Sequence, residues 1–335
     1  MGKFSKQPFF QLICLLSLAR AIPSPLTLPA DTLLEDSFGN SLPNSTLAAV
    51  IPNDFTSKPT LPLDEPVLNR QNTLMLTLHA LSNLALDDFD GEQQSQTWRS
   101  LQHVSIDILG PSMVVESALA IRKYAVWGIY KAVHLMVASN DFRSRNYELY
   151  WQGTLVGFVG FNTGAYGALS IGNATTNGTG QGVQEGSLSV SLNTSSDATT
   201  TDLGNSRTTL SFELNGRAIG ESNVYMTLFT GILKAAPYSK DERVQDLFFV
   251  NSRAFNTYLS FKEINDPGPD GPYFEYQQLI QLFTQLPSWV ISHSSQWTEA
   301  YMLVSVDGRP VGAGVLNWQI RQKTDAAHGD SVVTS

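Results

Sequence analysis

The fold of this chain is decided by the stretch Ser112–Asn162, which reads SMVVESALAIRKYAVWGIYKAVHLMVASNDFRSRNYELYWQGTLVGFVGFN. Its first half carries apolar residues at spacings of three, four and seven, in two adjacent stripes. An apolar face of that width is typical of a helix that is mostly buried. The pattern predicts one long helix over Ser112–Ser139, with Ser112 as its N-cap and Asn140 at its end.

The second half of this stretch predicts a β-hairpin. Alternation over Tyr147–Trp151 leads into Gln152-Gly153, and the run Leu155–Phe161 returns. Alternating side chains on either side of a glycine-containing two-residue turn indicate two antiparallel strands.

A fainter copy of the same pattern follows about 155 residues later. Tyr273–Leu286 predicts an amphipathic helix, which Pro287 should end or kink because proline cannot donate to the helical ladder. Tyr301–Val306 then alternates into the turn Asp307-Gly308, and Val311–Trp318 returns.

The two hairpins share a Gly-x-x-Val-Gly motif at a constant offset of 155, at Gly153 and Gly308, Val156 and Val311, and Gly157 and Gly312, and Asn162 matches Asn317 at the same offset. The same offset relates the strand segments 104–106 and 259–261, and an Asn-x-x-Met pair recurs at an offset of 151 in residues 72–75 and 223–226. The alternative is coincidence among short apolar runs, since Asn215-Gly216 predicts a similar hairpin turn outside this scheme. We interpret the constant offset as an internal duplication.

The sequence therefore predicts an α+β fold, a largely antiparallel sheet with packed helices, built from two copies of a helix-strand-helix-strand-strand module. The predicted organisation is a signal peptide at 1–21, a Pro-rich extended arm at 22–66, a first module at 67–163, a Gly/Ser/Thr/Asn-rich glycosylated excursion at 164–207, a second module at 208–318 and a flexible tail at 319–335.

The N-terminus has the pattern of a secretory signal peptide. Lys3 and Lys6 precede the apolar run Phe9–Leu18, and Ala19-Arg20-Ala21 supplies a small-x-small cleavage site. A membrane anchor is the alternative, but the run is much shorter than the ~20 residues that a span needs. We expect a secreted, extracellular protein without a membrane anchor.

Cysteine usage and charge exclude several classes of site and partner. Cys14 is the only cysteine and lies in the signal, so the mature chain is predicted to be disulfide-free and to lack thiolate metal ligands and a cysteine nucleophile. Removal of Lys3, Lys6 and Arg20 leaves 18 basic against 30 acidic residues, a formal charge of −12. Such a chain repels phosphate backbones, so we expect no nucleic-acid partner.

Four sequons predict N-glycosylation, at Asn44, Asn173, Asn177 and Asn193. Three of them fall in the predicted excursion. A glycan cannot be buried, so these residues are expected in solvent.

No catalytic residue can be assigned from the sequence. The segment 168–172 resembles a nucleophile elbow around Ser170, but no helix pattern follows it. The five histidines show no metal-ligand spacing, and no phosphate-binding loop occurs, so we expect no metal and no cofactor. Carboxylates for glycoside hydrolysis are available without a way to choose a pair, at Asp107, Glu116, Glu148, Glu213, Glu263, Glu275 and Glu299.

One possible binding face lies on the long helix. Trp127, Tyr130, Lys131 and His134 fall close together at helical spacing. If exposed, they could stack on a sugar or contact a protein partner, and the alternative is that they fill the core.

The segment Tyr124-Ala125-Val126-Trp127-Gly128, together with the hairpin motif Gly153-x-x-Val156-Gly157, resembles uncharacterised secreted proteins of filamentous fungi. The resemblance implies secretion and carries no chemistry. The leading interpretation is a secreted, N-glycosylated, non-enzymatic protein that binds an extracellular protein or glycan. The runner-up is a secreted hydrolase of polysaccharide or ester substrates, so enzymatic activity stays open, with non-enzymatic binding favoured.

Overall fold

Two large antiparallel sheets, a two-stranded antiparallel sheet and four helices make up the regular structure of the residues that this computed structural model describes. The described residues are 51–60, 65–100, 104–111, 120–163, 198–203, 206–244, 247–252, 255–264, 271–294 and 296–318. The predicted signal peptide, the excursion up to residue 197 and the tail therefore lie outside them.

The first module consists of β1 (Phe55–Pro59), α1 (Arg70–Ala85), β2 (Glu92–Gln93), β3 (Gln96–Arg99), β4 (Val104–Leu109), β5 (Ala120–Ile121), α2 (Arg122–Ser139), β6 (Arg145–Trp151) and β7 (Thr154–Thr163). The second consists of β8 (Ala198–Leu203), β9 (Ser206–Ala218), α3 (Glu221–Ala235), β10 (Leu247–Ser252), β11 (Thr257–Glu263), α4 (Tyr276–His293), β12 (Thr298–Val306) and β13 (Arg309–Trp318).

The order of strands confirms the α+β fold and the duplication. The first sheet runs β3-β4-β7-β6-β1, and the second runs β10-β11-β13-β12-β9 with β8 added at its edge. Leaving aside the separate β2-β5 pair and the edge strand β8, each module has the order strand, helix, two strands, helix, two strands. The predicted module lacked two strands of this order. In the first copy, β1 and β3 were not predicted, and in the second copy, β10 was not predicted.

The two hairpins are equivalent residue by residue. Gln152-Gly153 and Asp307-Gly308 all have positive φ, between 50° and 77°, as a type I′ turn requires. Pairing then shifts at the same place in both hairpins, so that Val156 and Val311 are the extra residues of matching β-bulges. The shared Gly-x-x-Val-Gly motif thus encodes a turn followed by a bulge.

The strands that pair with the second strand of each hairpin, β4 and β11, are related by a different sequence offset from the predicted one. Asn162 lies opposite Ser105, whereas its counterpart Asn317 lies opposite Tyr258. The offset between β4 and β11 is therefore 153, and the predicted match of Ser105 with Ser260 is wrong by two residues. A shift of two keeps the same side chains facing the core, which is why apolar pattern alone did not reveal it.

The long predicted helix is shorter at its N-terminus than expected. α2 begins at Arg122, and Ala120–Ile121 pairs with Glu92–Gln93 instead of being helical. The first backbone N–H groups of α2 donate to the carbonyl oxygens of Gly91 and Phe89, at 3.0 Å each. A distant turn therefore caps this helix. The predicted cap Ser112 lies outside the described residues.

The second amphipathic helix is longer than predicted. α4 begins three residues later than expected, where a capping box joins Glu275 and Gln278, and continues through Pro287 to His293. Trp289 and Val290, beyond the proline, are buried. Their burial offsets the hydrogen bond that the proline cannot make.

Three local predictions around the second sheet and the arm need correction. Asn215-Gly216 is not a hairpin turn, since β9 continues through it as a bulge opposite Glu299. Part of the predicted arm forms the edge strand β1, because Phe55 is fully buried there. The C-terminal end of the predicted excursion, Ala198–Leu203, forms β8.

The helices of both modules share one core. α1 and α2 cover one face of the first sheet, α3 and α4 cover one face of the second, and the two helix layers pack against each other. Side-chain hydrogen bonds cross between the modules: Ser82 Oγ with Thr284 Oγ1 at 2.6 Å, Tyr130 Oη with Thr230 Oγ1 at 3.3 Å, and Arg70 Nη2 donating to Ser222 Oγ. The face of each sheet that points away from the helices is here called its outer face.

Candidate functional site

The predicted binding face on α2 is not a surface. Trp127 and Tyr130 are 5% and 3% exposed. Trp127 makes edge contacts with Phe55 and Phe89, at centroid distances of 5.3 Å and 6.0 Å. The second module and β1 cover this side of the helix, so the prediction that these two aromatic residues are available for recognition is wrong.

The two polar members of that face are also engaged internally. Lys131 donates from Nζ to the carbonyl oxygen of Phe55 at 2.6 Å, and burial lowers its pKa. His134 stacks on Tyr130 and packs edge-on against Phe255, and burial followed by the Lys131 charge lowers its pKa. His134 therefore lies in the packing between the two modules, whereas Lys131 contacts β1 within the first module.

A serine beside a histidine is the arrangement that a serine hydrolase needs, because the histidine takes the proton of the attacking hydroxyl. Ser292 Oγ and His293 Nδ1 are 2.8 Å apart on the last turn of α4. Both also lie 2.9 Å from the carbonyl oxygen of Trp289. The Ser292 hydroxyl donates its proton to that backbone oxygen, so the proton is directed at the helix backbone and not at the imidazole. The pair caps a helix end, and Ser170 lies outside the described residues.

Two polar clusters in the first module contain carboxylates. Asp107 accepts hydrogen bonds from Thr97 Oγ1 at 2.7 Å, Asn162 Nδ2 at 2.8 Å and Ser105 Oγ at 3.4 Å. Asp107 is only 5% exposed. Neutral donors therefore satisfy this carboxylate within the sheet.

The second cluster is an ion-pair network. Arg145 contacts Asp141 at 2.6 Å and Glu65 at 3.6 Å, and Arg143 contacts Asp141 at 3.1 Å. Burial raises the pKa of Glu65, and the charges of Arg145 and Arg143 oppose that rise. Both carboxylates face arginines, whereas glycoside hydrolysis needs a carboxyl pair that faces a sugar.

The outer face of the second sheet carries a concave polar site. A depression of about 90 Å³ lies where β9, β12 and β13 meet, lined by Asn215, Gly216, Glu299, Ala300, Tyr301, Val315, Leu316 and Asn317. We call this feature the Glu299 depression. Ala300 and Met302 are buried and face the helices. Because successive side chains of a strand point to opposite faces, Glu299 and Tyr301 face outward.

The Glu299 carboxylate is held in place by the β9 bulge. Its Oε2 accepts the backbone N–H of Arg217 at 3.0 Å, and its Oε1 accepts the backbone N–H of Trp318 at 3.2 Å. A Cβ on Gly216 would lie 1.9 Å from Oε2. The φ of +73° favours glycine at this position, and a side chain here would have to displace the carboxylate.

Tyr258 and Asn317 extend the site along the outer face. Asn317 donates from Nδ2 to Tyr258 Oη at 3.0 Å and accepts the Trp318 backbone N–H at 2.8 Å. Burial raises the pKa of Tyr258, the Asn317 bond opposes the rise, and the Glu299 charge adds to it. Tyr258 is thus a neutral phenol at physiological pH.

Sequence reasoning found these residues only in part. Glu299 was one of seven available carboxylates, and Asn317 was noted as the counterpart of Asn162. Asn215-Gly216 was interpreted as a turn, which hid the bulge that holds Glu299. The signal that could have found the site is a glycine within an otherwise continuous strand, which indicates a bulge or a close approach.

The four sequon asparagines Asn44, Asn173, Asn177 and Asn193 lie outside the described residues. Within the described part, no three His, Asp or Glu side chains come together as metal ligands. Among the helices described, none combines the length and apolarity needed to cross a membrane.

Comparison with known proteins gives little further information. The chain matches no family model and no curated protein. Among solved structures it is similar to the tandem DUF26 ectodomain of the cysteine-rich receptor-like protein PDLP8 from Arabidopsis thaliana, at 7% identity and a TM-score of 0.20, over 78% of this chain and 97% of that one. A likeness at this TM-score carries no argument about fold or function.

Proposed function

We propose that this chain is a secreted, N-glycosylated binding protein and that it contacts its ligand at the Glu299 depression. The observation that carries the proposal is a carboxylate fixed by two backbone N–H groups at the bottom of a concave polar site. Fixed polar groups in a concave surface are typical of a binding site.

Three features support binding over turnover. The depression holds about 90 Å³, whereas sites that enclose a substrate-sized molecule measure roughly 300–1,000 Å³. Tyr301, at its rim, is 39% exposed and offers an aromatic surface. The two carboxyl oxygens of Glu299 are each bonded to backbone, which positions them as fixed acceptors.

Secretion rests on the signal pattern of residues 1–21, on the sequons and on the resemblance to secreted fungal proteins. The product collected from culture medium should begin near Ile22 and lose mass on N-glycosidase treatment. An intracellular product with an intact N-terminus would contradict this part of the proposal.

The site is tested with the secreted chain on arrays of glycans and extracellular proteins, beside a panel of chromogenic esters, glycosides and peptides. We expect binding without turnover. The double variant Asn317→Ala/Tyr301→Ala should weaken binding by about tenfold or more, which corresponds to ~1.4 kcal/mol.

The matched control is Glu148→Gln on the outer face of the first sheet, where the carboxylate accepts from Tyr150 Oη at 2.7 Å. This variant should bind like the wild type. Equal binding by the double variant would remove the depression from recognition. Turnover that disappears in Glu299→Gln would establish a hydrolase instead.

A further inference from the structure

We propose that the Glu299 depression recognises a primary ammonium group, presented by a lysine side chain of a protein partner. This inference rests on the proposed function and names its ligand. It starts from the charge of the site. Within the described residues, no lysine or arginine side chain forms an ion pair with Glu299.

The carboxylate has acceptor capacity left for a ligand. A carboxylate offers about four lone-pair positions on its two oxygens. The Arg217 and Trp318 backbone N–H groups use one on each oxygen. Each Glu299 oxygen can therefore accept one further donor, and a lysine ammonium brings three.

The groups around Glu299 also favour a cation. Asn215 and Asn317 line the depression with amides, and Tyr301 contributes a ring face that attracts positive charge. Glu213 lies directly opposite Tyr301 in the β9–β12 pair and is exposed, which adds a second negative charge to the same face. The chain as a whole carries a formal charge of −9, which attracts basic partners.

Size and geometry distinguish lysine from other cations. A depression of about 90 Å³ is small, which suits a compact head group on a slender stem. Arginine binds carboxylates best through two parallel bonds to both oxygens. One acceptor position stays open on each Glu299 oxygen, so the acceptors admit either cation, and the small volume of the depression favours the compact ammonium.

The experiment uses the secreted full chain labelled with ¹⁵N-tryptophan, which has six tryptophan backbone signals. The Trp318 backbone N–H donates to Glu299 and Asn317, so its signal reports directly on the site. N-acetyl-lysine methylamide should shift the Trp318 signal in a saturable way. N-acetyl-norleucine methylamide, which lacks the ammonium, should bind about tenfold more weakly or worse.

Two further arms test the charge. Raising ionic strength should weaken lysine binding, because a half-exposed ion pair is screened by salt. Glu299→Gln should abolish the lysine-induced shift, whereas Glu213→Gln should change the affinity by no more than about threefold, since an exposed neighbouring charge interacts only weakly through solvent. If Glu299→Gln does not fold, the norleucine and salt arms on the wild-type chain remain decisive.

The possible failures are distinguishable. A Trp318 shift with N-acetyl-arginine methylamide or glucosamine oligomers that exceeds the shift with lysine would overturn the lysine assignment and leave the site in place. Equal binding of the lysine and norleucine probes would overturn ammonium recognition. If no probe shifts the Trp318 backbone signal, and array binding is unaffected by Asn317→Ala/Tyr301→Ala, the Glu299 depression is not the binding site.

Discussion

At the scale of single residues, His79 shows how burial makes stability depend on pH. It lies half-buried on α1, and within the described residues its Nδ1 has no hydrogen-bond partner. Burial lowers its pKa below the ordinary value of 6.5. Above pH 6.5 the imidazole is neutral in both folded and unfolded chains. Below it, the unfolded chain binds a proton that the folded chain binds weakly, so the free energy of unfolding falls as pH falls.

His79→Gln should therefore reduce the loss of stability between pH 6.5 and 5. The change in slope is at most about 1.4 kcal/mol per pH unit, the value for one proton. Chemical denaturation at several pH values measures it. Met75→Ala on the same helix is the control, because it should lower the free energy of unfolding equally at every pH. An unchanged slope in His79→Gln would show that His79 is not the group responsible.

At the scale of elements, the two hairpins repeat the same turn, and each turn depends on two residues that adopt positive φ. Gly153 and Gly308 have φ values of +77° and +76°, and a Cβ at either position would meet nothing within 4 Å. Any effect of substitution there is conformational, because no neighbour is crowded. Non-glycine residues in this left-handed region cost about 1–2 kcal/mol, and asparagine costs least.

Gly308→Ala should lower the free energy of unfolding by about 1–2 kcal/mol, and Gly308→Asn by less than half of that. Gly153→Ala and Gly153→Asn should give the same pair of values within about 0.5 kcal/mol, because the turns are equivalent. Denaturant midpoints with unchanged slopes provide the measurement. Clearly different costs at the two glycines would mean that the hairpins are not energetically equivalent.

At the scale of the whole molecule, the modules are joined through their helices. Buried residues of α1 and α2 belong to the same apolar cluster as those of α3 and α4. Ser82–Thr284 and Tyr130–Thr230 add polar contacts across the boundary. Because the two copies share one core, we expect them to unfold together in a single cooperative transition.

Phe283→Ala should consequently destabilise both modules together. Phe283 is fully buried in the second module, between Phe248 and Phe261, and its truncation should cost about 3–5 kcal/mol. Hydrogen exchange should show the same loss of protection in β7 as in β13. Leu247→Ala, at a side chain that is 45% exposed, is the control and should change neither strand. Protection lost in β13 alone would show that the modules unfold independently.

The features that the sequence determined by itself are those that depend on near neighbours in the chain. The turns at Gln152-Gly153 and Asp307-Gly308 were predicted because glycine tolerates positive φ and alternating residues flank it. The α+β fold and the duplication followed from the same short patterns. Glu299 and Asn317 were both noticed, but nothing local indicated that they meet.

The tertiary structure decided whatever depends on residues far apart in the chain. The turn at Phe89–Gly91 sets the start of α2, and burial of Trp289 carries α4 through Pro287. The second module covers Tyr130, so an aromatic stripe that resembled a binding face became core. The Glu299 depression exists because a bulge in β9 meets a carboxylate 82 residues later in the chain. Burial and long-range pairing outweigh local propensity at these places, and a periodic pattern does not specify which element will cover which face.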